Sequence, residues 1–319
     1  STGLGINSIF NMTGNSVRYP LELGLITSFL VGYIVRFCFI RSWHRSTLSI
    51  LGFLNKDTAG LIYTIVLCTL CGIGASYVWP IAYTYIQKLI TYIAADIHDP
   101  IRIGLYGVMD RTLSMFSLGN IIRQPFWYTS LGGSLQTISG TSIIGDVNIW
   151  AYAKEIVVNY EGAGRFVTPY YVINIFMIPF SILGTFLSIN EKGARKKLLF
   201  GLAGTAFISI VCGNPLPFEL LTLFTAPLLL VLYLIVVFVI FYALSYFGIY
   251  LGSNIVSNST VTAMPGNLPD LIINLRDINH SETLFKIVLA GLIAGIVCLI
   301  VTMIYYRFLA YDLTKSGAT

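Results

Sequence analysis

Three charged side chains stand where the surrounding sequence is almost wholly apolar. Asp110 and Arg111 are neighbours inside Ile101 to Leu118, and Glu219 closes the segment Cys212-Gly-Asn-Pro-Leu-Pro-Phe-Glu219. A carboxylate only accepts hydrogen bonds and a guanidinium only donates them, so together they can grip a ligand rich in hydroxyl groups or carry an ion. The polar amides Asn120, Asn254 and Asn258 are further hydrogen-bonding candidates beside them. Plainer explanations exist for each. Asp110 and Arg111 can be a self-satisfied structural pair, Glu219 can be solvated at an extramembrane turn between two ordinary helices, and Asn residues often cap helices.

The elements that must position these groups are membrane-grade. The chain is 56% hydrophobic and 10% charged, with a net charge of +5 and a mean hydropathy of +0.79. Soluble domains carry about 25% charged residues, so a chain of 319 residues this poor in charge cannot clothe a water-facing surface. The basic excess is spread over short loops rather than gathered in a dense stripe, which excludes a nucleic-acid binder. Leu198 to Val211 carries no charge, and none occurs between Glu219 and Asp270, a run of roughly fifty residues. That is more than twice the ~20 needed for one crossing. The two prolines between these runs free backbone groups that lipid cannot satisfy. Such a break survives where protein surrounds it or where it lines a cavity, and in carriers interrupted segments of this kind hold substrate.

The remaining segments fit the same class. Leu21 to Ile40, Leu61 to Trp79 with Pro80 as kink or stop, Pro169 to Ile189 and Leu284 to Leu309 are expected to span, and Ile81 to Ala95 to continue as a more amphipathic helix. Residues 119–168 are expected to be mostly loop with re-entrant or extramembrane structure. Leu198 to Val211 is short for a crossing, Leu220 to Gly252 long for one, and Leu271 to Arg276 too short. The short basic connections 41–56 and 192–197 and the tail after Arg307 mark the cytoplasmic side. Cys38, Cys68, Cys71, Cys212 and Cys298 lie in or beside apolar stretches, which makes them packing residues; no metal or cofactor motif is present.

In order and spacing these features resemble the membrane domain, enzyme IIC, of the bacterial sugar phosphotransferase system, glucose/glucoside branch. Leu51-Gly-Phe-Leu54, Ser76-Tyr-Val-Trp-Pro80 with Ile86-Gln87, Gly104-Leu-Tyr-Gly107 with Asp110-Arg111 and Leu113, Gly164-Arg-Phe166, Ala226-Pro-Leu228 and Tyr305-Tyr306-Arg307 with Asp312-Leu313 each look like a family stretch. The segment Gly213-Asn-Pro-Leu-Pro-Phe-Glu-Leu220 looks like the family's Gly-Ile-Thr-Glu-Pro-Ile-Glu-Phe. Leu216 stands for its first glutamate, the family's sugar-binding carboxylate, and Glu219 keeps the second. Gly119-Asn120 stands where the family has a His-His pair. The three histidines, His44, His98 and His280, fall in polar connections.

The resemblance implies an all-α polytopic membrane protein with transport and scaffold subdomains and re-entrant hairpins. Residues 1–100 would be scaffold and dimerisation part, matching the family from its third helix onward. Residues 101–283 would be the transport part, re-entrant near 119–168 and 212–219, and 284–319 the last helix with a cytoplasmic tail. The implied function is a sugar permease in the bacterial plasma membrane. It would work as a homodimer with separate IIB and IIA components that supply the phosphoryl group, since the chain has no phosphorylatable catalytic Cys or His of its own. Asn120, Glu219, Arg111, Asp110, Asn254 and Asn258 would line its substrate site. The alternative from another class is a membrane scaffold or anchor subunit that no longer transports sugar. A third is an ion or proton carrier using Glu219 and the Asp110–Arg111 pair.

Overall fold

A computed structural model of the chain describes residues 24–44, 56–137, 140–155, 162–189, 192–253, 265–275 and 281–308. Among them the helices are α1 (Gly24–His44), α2 (Lys56–Ala94), α3 (Pro100–Met115), α4 (Asn120–Tyr128), α5 (Asp146–Glu155), α6 (Thr168–Ser188), α7 (Lys192–Cys212), α8 (Leu216–Thr225), α9 (Pro227–Tyr246), α10 (Leu268–Leu275) and α11 (Ser281–Phe308). A small antiparallel hairpin, β1 (Ser134–Gln136) with β2 (Ser142–Ile144), precedes α5. Five helices, α1, α2, α6, α9 and α11, are long and apolar enough to cross a membrane. The chain is an all-α polytopic membrane protein.

It divides into two compact units, residues 1–91 with 116–118, and residues 92–115 with 119–319. In the first unit, α1 and α2 expose Phe29, Tyr33, Leu61, Ile65 and Tyr77. Side chains of this kind face lipid at no cost. The helix α2 runs for 39 residues, about 58 Å at 1.5 Å per residue. Pro80 lies inside it and does not end it. A proline removes one intrahelical bond, and long apolar flanks on both sides carry the helix through.

The second unit is held together by aromatic rings seated on glycines. A methyl at Gly104 or Gly107 would meet the rings of Phe238 and Phe241, so these two residues let α3 lie close against α9. In the same way Gly291 and Gly295 of α11 receive Phe176 and Phe180 of α6, while Gly184 of α6 lies against Leu299 and Thr302. Between these pairs Tyr106, Phe126, Phe166 and Phe241 form a ring cluster, with Tyr106 4.7 Å from Phe166 and 5.2 Å from Phe126 between centroids. The Trp127 Nε1–H donates to the Tyr106 hydroxyl at 3.1 Å.

Several boundaries differ from those expected. Residues 119–168 hold two helices and a hairpin rather than mostly loop. The basic residues from Lys192 onward form the first turns of α7, which lengthens the short run from Leu198 to 21 residues. The long run Leu220 to Gly252 is cut at Ala226, where the backbone leaves the helical region and Pro227 opens α9. Asn254 and Asn258 lie outside the described residues.

Candidate functional site

The break that carries Glu219 is satisfied by its own residues. Gly213 adopts φ +65°, which terminates α7 in the left-handed conformation that glycine takes without strain. Its N–H bonds the Ser209 carbonyl at 3.1 Å. The Asn214 side-chain oxygen then accepts the Leu216 N–H at 3.1 Å, and the Pro215 carbonyl accepts Phe218 and Glu219 N–H. Gly213 and Pro215 are buried, Asn214 and Leu216 half-buried. The turn is therefore packed in protein, as a proline-broken apolar segment requires. Glu219 falls in the first turn of α8, where the helix dipole favours a negative group.

Asp110, Arg111 and Glu219 come together, and Arg123 joins them. All four are buried, at 0%, 1%, 0% and 5% exposure respectively. Asp110 Oδ2 accepts Arg111 Nη2 at 2.6 Å and Nε at 2.9 Å, and also the Tyr170 hydroxyl at 2.7 Å. Asp110 Oδ1 accepts Arg123 Nε at 2.6 Å. Arg123 Nη2 reaches Ser114 Oγ at 2.6 Å. The Arg111 guanidinium lies over the Tyr170 ring, 4.9 Å from its centroid. The charges cancel, two carboxylates against two guanidiniums, which is the condition for burying them at all.

Glu219 is held more loosely. Its Oε1 accepts the Tyr233 hydroxyl at 3.0 Å, and Arg111 Nη1 stands 3.6 Å from the same oxygen, beyond hydrogen-bond length. Glu219 Oε2 and Arg111 Nη1 are buried and have no hydrogen-bond partner among the described residues. The two members of one ion pair thus each keep a buried atom without a hydrogen bond, and leaving such groups unpaired costs about 1–3 kcal/mol each. A hydroxyl, which both donates and accepts, can answer both.

Asn120 does not join this group; it is exposed in the first turn of α4. Arg123, one turn further along, is the member of α4 that reaches Asp110. Tyr170 and Tyr233 complete the set.

A second polar node surrounds Asp270 in the first turn of α10. Its Oδ2 accepts the hydroxyls of Tyr171 at 2.7 Å and Ser253 at 2.6 Å, while its N–H is capped by Asn267 Oδ1 at 2.8 Å. Asp146 forms a third anchor, taking the N–H groups of Gly164 at 2.8 Å and Phe166 at 3.4 Å. Burial pushes the Asp146 carboxyl up, to about 7, against the pull of the Gly164 N–H and the Arg165 charge. Gly164 itself sits at φ +89° against the Gly252 backbone, so the Gly164-Arg-Phe166 loop is a backbone junction. Its Arg165 donates to the Ile97 carbonyl.

The chain is similar to a phosphotransferase-system membrane protein. It is 26% identical over 250 residues to the "PTS system glucoside-specific EIICBA component" of Staphylococcus carnosus, a match that covers 73% of this chain and 35% of that protein. The chain therefore spans about a third of the length of the curated relative it matches. No family model matches it.

Proposed function

We propose that the chain is the sugar-translocating membrane domain of a phosphotransferase-type permease, taking a glucoside or a related hexose in the bacterial plasma membrane. One observation carries this: Glu219 and Arg111, a buried ion pair at 3.6 Å, each keep an atom, Oε2 and Nη1, that makes no hydrogen bond among the described residues. Sugar recognition needs such convergent hydroxyl partners on a rigid frame. Asp110 supplies that frame by fixing Arg111 and Arg123. The similarity to a glucoside-specific component supports the substrate class. Asn120, Asn254 and Asn258 remain proposed contributors, Asn120 from the start of α4.

Binding to the bilayer follows from the five apolar helices. The further arrangement we propose follows the relative: IIB and IIA functions supplied from outside these residues, a homodimer, and a cytoplasmic C-terminus. In the scaffold alternative, Leu216 would fill the site in place of ligand. Leu216 heads α8 half-buried, and it is Glu219 that meets Arg111.

The test is equilibrium binding of radiolabelled methyl β-D-glucoside to the chain in lipid nanodiscs. Saturable binding is expected, competed by glucose, and Glu219→Gln should weaken it at least ~10-fold, as loss of a charged hydrogen-bond partner does. A folded, monodisperse protein that binds no hexoside saturably would sink the proposal.

A further inference from the structure

We infer that Asn174 is a second specificity-determining contact of the same site, its side-chain oxygen accepting a hydroxyl of the sugar other than the one held by Glu219. This rests on the sugar-binding function proposed above. Asn174 is 1% exposed in the middle of α6. Its Nδ2 donates to two main-chain carbonyls, Gly213 at 3.2 Å and Gly266 at 3.3 Å. That fixes the amide: turned over, it would set its oxygen against two carbonyl oxygens. The Asn174 Oδ1 so oriented has no hydrogen-bond partner among the described residues.

The surroundings place this open acceptor beside the site rather than in inert core. Asn174 follows Tyr170 by four residues, one turn along the same helix face, and Tyr170 bonds Asp110 while lying under Arg111. One of its two carbonyl partners belongs to Gly213, where the chain turns towards α8 and Glu219. Asn174 also sits on a π-helical turn, Ile173–Met177. The Ser209 hydroxyl bonds the Asn174 carbonyl at 2.8 Å there. A π turn inserted in a membrane helix costs regular hydrogen bonding and is common at functional positions. Here it brings an amide to face the turn at Gly213. Asn174 Oδ1, Glu219 Oε2 and Arg111 Nη1 are two acceptors and one donor without hydrogen bonds among the described residues, on three helices linked through Tyr170 and the turn at Gly213. A sugar ring answers that pattern with separate hydroxyls on its rim. The amide's hold on Gly213 and Gly266 also means that the contact is preorganised: it is built before ligand arrives.

Binding of methyl β-D-glucoside and its monodeoxy analogues to the full chain in nanodiscs separates this from a structural role. Asn174→Leu, Asn174→Ala and Glu219→Gln are compared with wild type. Asn174→Leu should weaken the parent glucoside about 10-fold while leaving one deoxy analogue unaffected, because the hydroxyl it lacks is the one Asn174 reads. Glu219→Gln should spare a different analogue. Asn174→Ala, which likewise lacks the acceptor, should show the same pattern as Asn174→Leu. If Asn174→Leu weakens every analogue in parallel, or none, the residue serves only packing or a bound water, and the inference fails. Should Asn174→Leu not yield monodisperse protein, Asn174→Ala decides: weakening confined to glucosides that carry one particular hydroxyl supports the contact, and parallel weakening or none overturns it. A wild-type protein that binds no glucoside overturns the permease function itself, and this inference with it, before any substitution is compared.

Discussion

Asp110 and Glu219 are both fully buried carboxylates served by one arginine, yet their neighbourhoods are built differently. Around Asp110 every valence is filled: two guanidiniums and the Tyr170 hydroxyl close on it at 2.6–2.9 Å. Around Glu219 there are, among the described residues, a single hydroxyl, a guanidinium held off at 3.6 Å, and one oxygen that accepts no hydrogen bond. Asp110 draws its guanidinium donors from its own helix and from α4, which follows it closely in the chain, and its hydroxyl donor from Tyr170 of α6. Glu219 rides on a ten-residue helix bounded by two backbone breaks, at Gly213 to Pro215 and at Ala226. A saturated carboxylate holds a fold together, and an unsaturated one beside an unsaturated arginine waits for a partner. Asp110–Arg111 is thus built as a self-satisfied structural pair, and the ligand contact proposed above is Glu219 with the far end of the same Arg111.

Substitutions should separate the two roles. The largest effect belongs to Asp110→Asn, which leaves two buried guanidiniums with only the more distant Glu219 as counter-charge. Removing one partner of a buried pair costs about 3–5 kcal/mol. Thermal unfolding in detergent should show it, with loss of monodisperse protein at the extreme. Next comes Gly107→Ala, whose methyl must displace the Phe241 ring. Overpacking of this kind costs about 1–3 kcal/mol. It would also push α3, with Asp110 and Arg111, away from α9, which carries Tyr233, so glucoside affinity should fall along with stability. Glu219→Gln should divide differently between the two readouts. It keeps a hydrogen-bonding group for Tyr233 and leaves Asp110 closed on both guanidiniums, so the unfolding midpoint should fall less than for Asp110→Asn, while glucoside binding weakens at least ~10-fold. If Glu219→Gln destabilises as much as Asp110→Asn, the contrast between the two carboxylates is wrong.

How much of this the sequence displayed depends on how conspicuous each residue is. Asp110, Arg111 and Glu219 stood out because charge in an apolar run is costly and needs a reason. Arg123 did not, because it lies in a stretch of mixed polarity whose nine-residue helix is too short to declare itself by periodicity. Tyr170 and Tyr233 were invisible: tyrosine is common in membrane spans, and only the fold shows which hydroxyl meets a carboxylate. Gly104 and Gly107 were legible as a motif, but their use as ring seats needed Phe238 and Phe241, more than a hundred residues away. Asn120 shows the opposite failure. Asn120 opens α4 and its short side chain stays exposed, while Arg123, one turn on, has the length to reach Asp110.

The smallest expected effect is also the most discriminating. Tyr170→Phe and Tyr233→Phe each delete one phenolic hydroxyl from a buried carboxylate and leave the ring in place. A hydrogen bond to a charged acceptor is worth about 1.5–3 kcal/mol, less whatever the remaining donors recover. Asp110 loses one of several donors with Tyr170→Phe, and the two arginines hold it where it is. Glu219 loses with Tyr233→Phe the one hydroxyl that fixes it, and nothing else at hydrogen-bond length replaces it. The pair of substitutions is therefore matched in chemistry and unequal in consequence. Tyr233→Phe should weaken methyl β-D-glucoside binding several-fold, as a mobile Glu219 pays more entropy to be ordered around the sugar. Tyr170→Phe should change affinity by less than about two-fold and appear mainly in the unfolding midpoint. Equal effects on binding would mean that Asp110 and Glu219 act as one network, and that the open valences at Glu219 are not what selects the ligand.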